Sequence, residues 1–198
     1  MLSGVGGQAV CYLRAVATVT VTHPHVESIE FIEQQTVADW RLPMELFGGE
    51  AVMMSPVSGP TSWVQGKLFS ALDRWQEQAA KRGLVLQEIF VALPGGEHLA
   101  PDISWWSEDR RPPIVRGPFT VVPDLVVEVL SPSTRMNDLG PKRQVYMDSG
   151  VRELWLADPE AGTLTRVMRD ADDEVLAAGA VLRTDLLEGF AVDLARVF

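Results

Sequence analysis

Three charged residues lie in settings where a charge requires a specific partner. Asp102 follows Pro101 and directly precedes a short apolar stretch, and Glu128 interrupts the most apolar run of the chain. Lys142 lies on the predicted helix after that run, and it is one of only three lysines beside fourteen arginines. An ionised carboxylate in an apolar strand costs free energy unless it is paired or bound to a metal. We therefore take these three residues as the candidate catalytic set.

The three residue types together suit hydrolysis of a phosphodiester bond. Mg²⁺ and Mn²⁺ prefer carboxylate oxygens, and Asp102 and Glu128 on adjacent strands could hold one such ion. A bound ion polarises a phosphoryl oxygen and lowers the pKa of a bound water. The ammonium of Lys142 could orient that water and stabilise the developing negative charge. The set therefore predicts a metal-dependent hydrolytic site.

Each of the three residues also has an ordinary structural explanation. Asp102 could cap a turn after the proline, and Glu128 could be a strand-edge residue or half of a buried ion pair with an arginine. Lys142 could be a solvated helix residue, which is the usual fate of a helical lysine. Since three separate explanations would have to coincide, the combination is more specific than any one residue.

The elements that must position these residues follow from the apolar periodicity. Apolar residues recur every three or four positions from Thr61 to Arg82, which predicts a long helix ended by Gly83. A crossover helix is predicted from about residue 138 to residue 148, with Pro141 in its first turn. Strands are predicted at 84–93 and 103–106, buried strands at 124–130 and 151–157, and two or three more strands between 163 and 198. This order predicts an α/β fold with a mixed β-sheet flanked by helices.

The first part of the chain is the hardest to interpret. Residues 15–21 alternate apolar side chains with threonine, which predicts a strand. Thr36 to Asp39 has the form of a short helix start, and Glu50 to Met54 predicts another strand. We therefore divide the chain into an N-terminal extension at 1–35, which could contain a strand, and one domain at 36–198.

Composition restricts the setting and the partners of the protein. No run approaches the roughly 20 apolar residues that cross a bilayer, and the N-terminus lacks the pattern of a signal peptide. Cys11 is the only cysteine, so no internal disulfide can form, and we expect a cytoplasmic protein without membrane association. The net charge of −10 argues against coating of nucleic acid by general attraction. The same net charge is compatible with an enzyme whose acidic site is neutralised by a bound metal.

Several segments of the sequence resemble one known family. They are Pro101-Asp102-Ile103, the run from Asp124 to Thr134, the residues Asp138, Lys142 and Tyr146, the stretch 150–159, and upstream the stretches 44–50 and 54–56. Within residues 36–193 they resemble the Uma-two family, whose members are bacterial proteins classed as restriction endonucleases of the PD-(D/E)XK nuclease superfamily. The resemblance implies a restriction-endonuclease-like α/β core and Mg²⁺-dependent cleavage of nucleic acid.

The resemblance also assigns roles to individual residues. Asp102 matches the motif aspartate, and Glu128 matches the acidic residue on the next strand. The lysine usual two positions later in the superfamily is replaced by Leu130, and Lys142 fits the variant in which the lysine lies on the following helix. Glu45 matches an early glutamate of the metal site. The resemblance therefore implies that Asp102, Glu128 and Glu45 bind Mg²⁺ or Mn²⁺.

Two neighbouring residues leave alternatives open. Tyr146 follows Lys142 by one helical turn, so it could orient the lysine or only pack in the core. His98 precedes Asp102 by four residues and could approach the site.

Three functions are consistent with these residues. The leading one is an endonuclease that cleaves DNA with Mg²⁺ or Mn²⁺, and a symmetric homodimer would suit cutting both strands. The second is a catalytically inactive nucleic-acid-binding or regulatory protein on a nuclease scaffold. The third is a hydrolase of a small phosphate compound. Catalysis requires Asp102 and Glu128 to lie on the same side of the sheet as Lys142.

Overall fold

The computed structural model describes residues 21–22, 44–48, 50–53, 57–132 and 135–198. The helices of this part are α1 (Gly59–Glu77), α2 (Arg135–Leu139) and α3 (Pro141–Ser149). The strands, in chain order, are β1 (Val21–Thr22), β2 (Met44–Phe47), β3 (Glu50–Met53), β4 (Leu84–Gln87), β5 (Val91–Ala92), β6 (His98–Leu99), β7 (Ile103–Trp106), β8 (Leu125–Val129), β9 (Glu153–Asp158), β10 (Thr163–Met168), β11 (Glu174–Ala177), β12 (Val181–Arg183) and β13 (Ala191–Asp193).

The larger sheet has six strands in the order β11-β10-β9-β8-β7-β4. β8 and β9 run parallel, whereas the other neighbouring pairs are antiparallel. A parallel pair requires a crossover connection, and α2 and α3 supply it between β8 and β9. The predicted α/β fold with a mixed sheet flanked by helices is confirmed.

A second sheet, in the order β1-β3-β2-β6-β5, carries the segment that contains Glu45. β2 and β3 form a hairpin, and β2 also pairs with β6 at Leu46 and His98. Because β6 is followed closely by β7, this second sheet lies beside the start of the strand that Asp102 precedes.

The two faces of the larger sheet are covered by different helices. On one face α1 contributes Leu68 to the core cluster that contains Val127. On the other face α3 contributes Tyr146 to the cluster that contains Val126. Because side chains alternate between the faces of a strand, Glu128 lies on the face of Val126, beneath α3. All five residues of β8 are buried, as the apolar run predicts.

Helix α1 ends at Glu77, five residues earlier than predicted. Gly83, which was predicted to end the helix, instead lies directly before β4. Gly83 has a φ of +84°, and a Cβ there would lie 1.9 Å from the backbone oxygen of Trp106. The glycine therefore permits close approach of the chain to β7. At its other end α1 begins near the predicted residue, with the Ser58 side chain accepting a hydrogen bond from the Thr61 N–H at 3.4 Å.

The strand predicted at 84–93 is two strands that belong to different sheets. Glu88 has a φ of +51°, a left-handed conformation that breaks the extended chain after β4. The chain then enters β5 of the second sheet. The sequence shows an apolar run interrupted only by Gln87 and Glu88, and such a polar pair does not by itself indicate a left-handed residue.

The predicted crossover helix is also divided. Gly140 separates α2 from α3, and Pro141 occupies the first turn of α3 as predicted. Gly150 ends α3 in a left-handed conformation with a φ of 100°. After β9 the chain forms four strands, β10 to β13, where two or three were predicted.

The N-terminal predictions lie mostly outside the described residues. The predicted strand at 15–21 is described only at its end, where β1 pairs with β3. The predicted strand from Glu50 to Met54 is found as β3. The helix start at residues 36–39 falls outside the described part, and the division at residue 35 stays a prediction. No helix in the described ranges has the length and apolar character needed to cross a membrane.

Candidate active site

The site is centred on the buried ammonium of Lys142. Its Nζ lies 2.9 Å from both carboxylate oxygens of Glu45. It lies 3.6 Å from Oε1 of Glu128 and 3.6 Å from Oδ1 of Asp138. Lys142, Glu45, Glu128 and Asp138 are all buried. Three carboxylates from three different elements therefore converge on one lysine.

Strand pairing places Asp102 beside this cluster. β7 and β8 are antiparallel with Ile103 opposite Val127, so the register continued by one residue places Asp102 opposite Glu128 on the same face. Oδ2 of Asp102 accepts a hydrogen bond from the Val129 N–H at 2.6 Å. Asp102 and Glu128 thus lie on the side of the sheet that α3 covers, which is the side of Lys142.

The positions of α2 and α3 bring Lys142 into the buried cluster. Pro141 starts α3 directly after the break at Gly140, so Lys142 is in the first turn of the helix and points into the sheet. Asp138 comes from α2, four residues earlier, and faces the same ammonium across the break. Tyr146 follows Lys142 by one turn and is also buried.

Glu45 reaches the cluster from the second sheet. Besides the ion pair with Lys142, its Oε1 accepts a hydrogen bond from the Ala100 N–H at 2.9 Å. Ala100 lies between β6 and β7, two residues before Asp102. The glutamate therefore connects the hairpin of β2 and β3 to the start of β7 and to α3.

The cluster contains more carboxylate groups than positively charged groups. Burial raises the pKa of Asp102 to about 7, and the negative charges of Asp138 and Glu88 add to the rise, although the Val129 N–H and Lys142 oppose it. Burial likewise raises the pKa of Glu128 well above its ordinary value, with Asp138, Asp102 and Glu45 adding to the rise and Lys142 opposing it. A site with this charge balance favours binding of a proton or a cation.

The pKa of Lys142 is also raised, but the cause is the neighbouring negative charge and not burial. Burial alone would lower its pKa, but the negative charges of Glu128, Glu45 and Asp138 outweigh the burial, so that the pKa is raised above its ordinary value. The lysine is therefore a permanent ammonium at neutral pH.

Sequence reasoning did not select Asp138, Glu88 or Gln65 as site residues. The Glu88 N–H donates to the Asp102 backbone oxygen at 3.2 Å, and buried Gln65 of α1 donates to the Glu88 carboxylate at 2.8 Å. The available signals were the spacing of Asp138 from Lys142 and the amide of Gln65 on the packed face of a helix. For Glu88 there was no clear signal, because a glutamate beside Gln87 within the predicted strand 84–93 has the pattern of an ordinary exposed residue.

Carboxylate oxygens are the donors that could hold a metal here. Asp102 and Glu128 lie on one face with Glu45 and Asp138 close by, and this donor set suits a hard divalent cation. Within the described ranges, however, no group of three His, Cys, Asp or Glu side chains is already arranged to hold an ion. His98 is buried in β6 opposite Leu46, and its approach to the site stays a prediction.

The family model for Uma2, described as "Putative restriction endonuclease", matches residues 30–195. The chain belongs to the Uma2 family. The match extends a few residues beyond both ends of the segment 36–193 that carries the sequence resemblance, and membership supports a nuclease function.

A solved structure shares the fold of this Uma2 chain. It is a protein from Anabaena variabilis ATCC 29413 described as "a putative nuclease belonging to DUF820". The two chains are 19% identical, with a TM-score of 0.69, and the match covers 79% of this chain and 89% of the other. At this identity the likeness concerns the fold alone. A comparison with curated proteins finds no match.

Proposed function

We propose that this Uma2 chain is a metal-dependent endonuclease that hydrolyses phosphodiester bonds in DNA. The observation that carries the proposal is the position of Lys142, Glu128 and Asp102 on one face of the sheet. A nuclease of this kind requires two carboxylates and an ammonium near one phosphate. Family membership supports the reaction class, and the geometry supports these residues as its catalytic set.

The proposed cofactor is Mg²⁺ or Mn²⁺, held by Asp102 and Glu128 with Glu45 as a further ligand. The fit rests on donor chemistry and charge, since burial raises the pKa values of Asp102 and Glu128, and the neighbouring negative charges add to the rise while Lys142 opposes it. When bound, such an ion supplies a Lewis acid and a water of lowered pKa. To bind the ion, Glu45 would give up one of its two contacts with the Lys142 ammonium.

Lys142 is proposed to act as a fixed positive charge. Its raised pKa keeps the ammonium protonated, so it cannot accept a proton from water as a general base. It can hold the attacking water by hydrogen bonding and stabilise the charge that develops on the phosphoryl oxygens. The Val129 N–H fixes Asp102 in its orientation at the start of β7.

The test is cleavage of supercoiled plasmid DNA in the presence of Mg²⁺ or Mn²⁺, with single-stranded RNA as a parallel substrate. The parent should cleave DNA, and Asp102→Asn and Glu128→Gln should each lose cleavage. Asp109→Asn, a change at an exposed aspartate of the turn 108–110, is the matched control and should cleave as the parent does. Cleavage that survives both site substitutions would refute the assignment, and cleavage of RNA alone would refute the substrate.

Binding of nucleic acid without cleavage is the second candidate function. It is favoured by the ion pair of Lys142 with Glu45 at 2.9 Å and by the lack, among the described residues, of a ready group of three metal ligands. A gel-shift assay separates the two functions, because retention of DNA without cleavage under any divalent cation would support the binding role. A panel of small phosphodiesters tests the third function, and its hydrolysis without plasmid cleavage would replace the endonuclease proposal.

A further inference from the structure

The hydroxyl of the buried tyrosine of α3 contacts Glu128. The hydroxyl of Tyr146 donates a hydrogen bond to Oε1 of Glu128 at 2.6 Å. Tyr146 is 1% exposed and Glu128 is 4% exposed, so water does not compete strongly for this bond. Burial raises the pKa of Tyr146, and the nearby charges of Glu128 and Glu45 add to the rise. The hydroxyl therefore remains a donor throughout the neutral range.

Two donors from one helix face share a single carboxylate oxygen. Nζ of Lys142 lies 3.6 Å from the same Oε1, and Lys142 and Tyr146 are one turn apart on α3. Because the hydrogen bond of Tyr146 and the ion pair of Lys142 both use Oε1, the torsion of the Glu128 carboxylate is restricted.

We propose that Tyr146 is a positioning residue that orients Glu128 so that its second oxygen, Oε2, binds the divalent cation of the site. The inference rests on the proposed metal-dependent function. Residues that hold a metal ligand in place commonly change metal affinity by about 10- to 100-fold when they are removed. If Tyr146 only packs in the core, its replacement by phenylalanine would leave the affinity of the protein for the cation unchanged.

The test is Tyr146→Phe, which removes the hydroxyl and keeps the ring. A matched control is Thr184→Val, because the Thr184 hydroxyl also donates to a buried glutamate, Glu153, at 2.6 Å. Side-chain alternation places Glu153 on the opposite face of the sheet, with Trp155. Both variants lose a buried hydrogen bond from a hydroxyl to a glutamate, and Thr184→Val also loses the bond that this hydroxyl accepts from the Leu186 N–H at 3.1 Å. Only Tyr146→Phe loses its bond at the proposed site.

The measurement is the affinity of the full chain for Mn²⁺, obtained by electron paramagnetic resonance of the free ion. All three proteins are compared at a temperature at which circular dichroism shows them folded. We expect Tyr146→Phe to weaken Mn²⁺ binding by about 10- to 100-fold, whereas Thr184→Val binds as the parent does.

Three outcomes separate this inference from the proposed function. A parent that binds no Mn²⁺ would overturn the metal-dependent function itself. A parent that binds Mn²⁺ together with an equally competent Tyr146→Phe would overturn only the role of the tyrosine. Equal weakening in Tyr146→Phe and Thr184→Val would assign the loss to general destabilisation, and it would also overturn the positioning role.

Discussion

Lys142 is the residue on which the charge balance of the site depends. It faces Glu45, Glu128 and Asp138 at 2.9 to 3.6 Å, and its charge also interacts with that of Asp102. Removal of one partner of a buried ion pair leaves charge without compensation, which is costly. The lysine therefore contributes both to the proposed chemistry and to the stability of the metal-free protein.

Lys142→Met tests both contributions. We expect the free energy of unfolding of the metal-free protein to fall by about 3–5 kcal/mol, because the carboxylates lose their ammonium. Plasmid cleavage should fall by about 10²- to 10³-fold. Lys81→Met, at an exposed residue, is the control for the loss of a lysine. Chemical denaturation in the presence of a chelator measures the stability, and an unchanged midpoint would contradict the central place of Lys142.

The raised pKa of Asp102 predicts that the stability of the protein depends on pH. Its pKa of about 7 in the folded protein exceeds the ordinary value of 3.8, so the folded state binds more protons than the unfolded state between these values. The free energy of unfolding of the metal-free protein should therefore decrease as the pH rises from about 4 to about 7. Asp102→Asn should make this decrease smaller. Denaturation curves across this range measure the slope, and identical slopes for parent and variant would contradict the raised pKa.

At the scale of elements, the pairing of β4 with β7 involves close approach of the chain after α1 to the end of β7. Gly83 lies where a Cβ would meet the backbone oxygen of Trp106 at 1.9 Å, and backbone atoms cannot move aside as a flexible side chain can. The approach aligns β4 with β7, whose start carries Asp102.

Three glycine substitutions separate the effects of contact and conformation. Gly83→Ala should destabilise the protein by well over about 1 kcal/mol, because it combines a left-handed φ with the backbone contact. Gly95→Ala should cost less, because its φ is +98° but no atom lies within 4 Å of its Cβ position. Gly66→Ala, in open space on α1, should stabilise the helix by up to about 1 kcal/mol. Thermal unfolding measures all three, and a Gly83→Ala variant no less stable than Gly95→Ala would contradict the contact.

At the scale of the whole molecule, the cluster joins two sheets and a crossover helix. Glu45 comes from the second sheet, Glu128 from the larger one and Lys142 from α3, so ligand binding at the cluster is coupled to the association of these parts. A ligand that binds only the folded protein stabilises it by mass action.

Addition of Mn²⁺ should therefore raise the unfolding temperature of the parent. At a concentration about 100 times the dissociation constant, the stabilisation is about 2.7 kcal/mol. The double substitution Asp102→Asn with Glu128→Gln should remove the increase, and Ca²⁺ serves as a control for a larger cation. Equal stabilisation of the parent and the double variant would place Mn²⁺ at another site.

The proposed homodimer is also a question at this scale. A dimer with two sites would cut both strands in one encounter and produce linear plasmid, whereas a monomer would accumulate nicked circles. Light scattering during size-exclusion chromatography gives the oligomeric state directly. A monomer that yields linear product without a nicked intermediate would contradict this reasoning.

The sequence by itself determined the local features of this protein. The apolar run around Glu128 predicted a strand buried on both faces, and apolar periodicity predicted α1. Both predictions depend only on the order of apolar and polar residues within a short segment. The same reasoning selected Asp102, Glu128 and Lys142, since charges beside apolar residues are visible in a linear pattern. It placed the end of α1 too late, and it missed the break at Glu88, because the polar pair Gln87-Glu88 does not by itself indicate a left-handed residue.

Only the tertiary structure decided how these residues meet. Asp102 and Glu128 face each other because β7 and β8 pair with Ile103 opposite Val127, and a shift of one residue would turn one of them to the other face. Glu45 contacts Lys142 across 97 residues of sequence, and Tyr146 contacts Glu128 where the sequence suggested the lysine or simple packing. Such contacts depend on sheet register and helix placement, which follow from the packing of the whole chain and not from the spacing of residues along it.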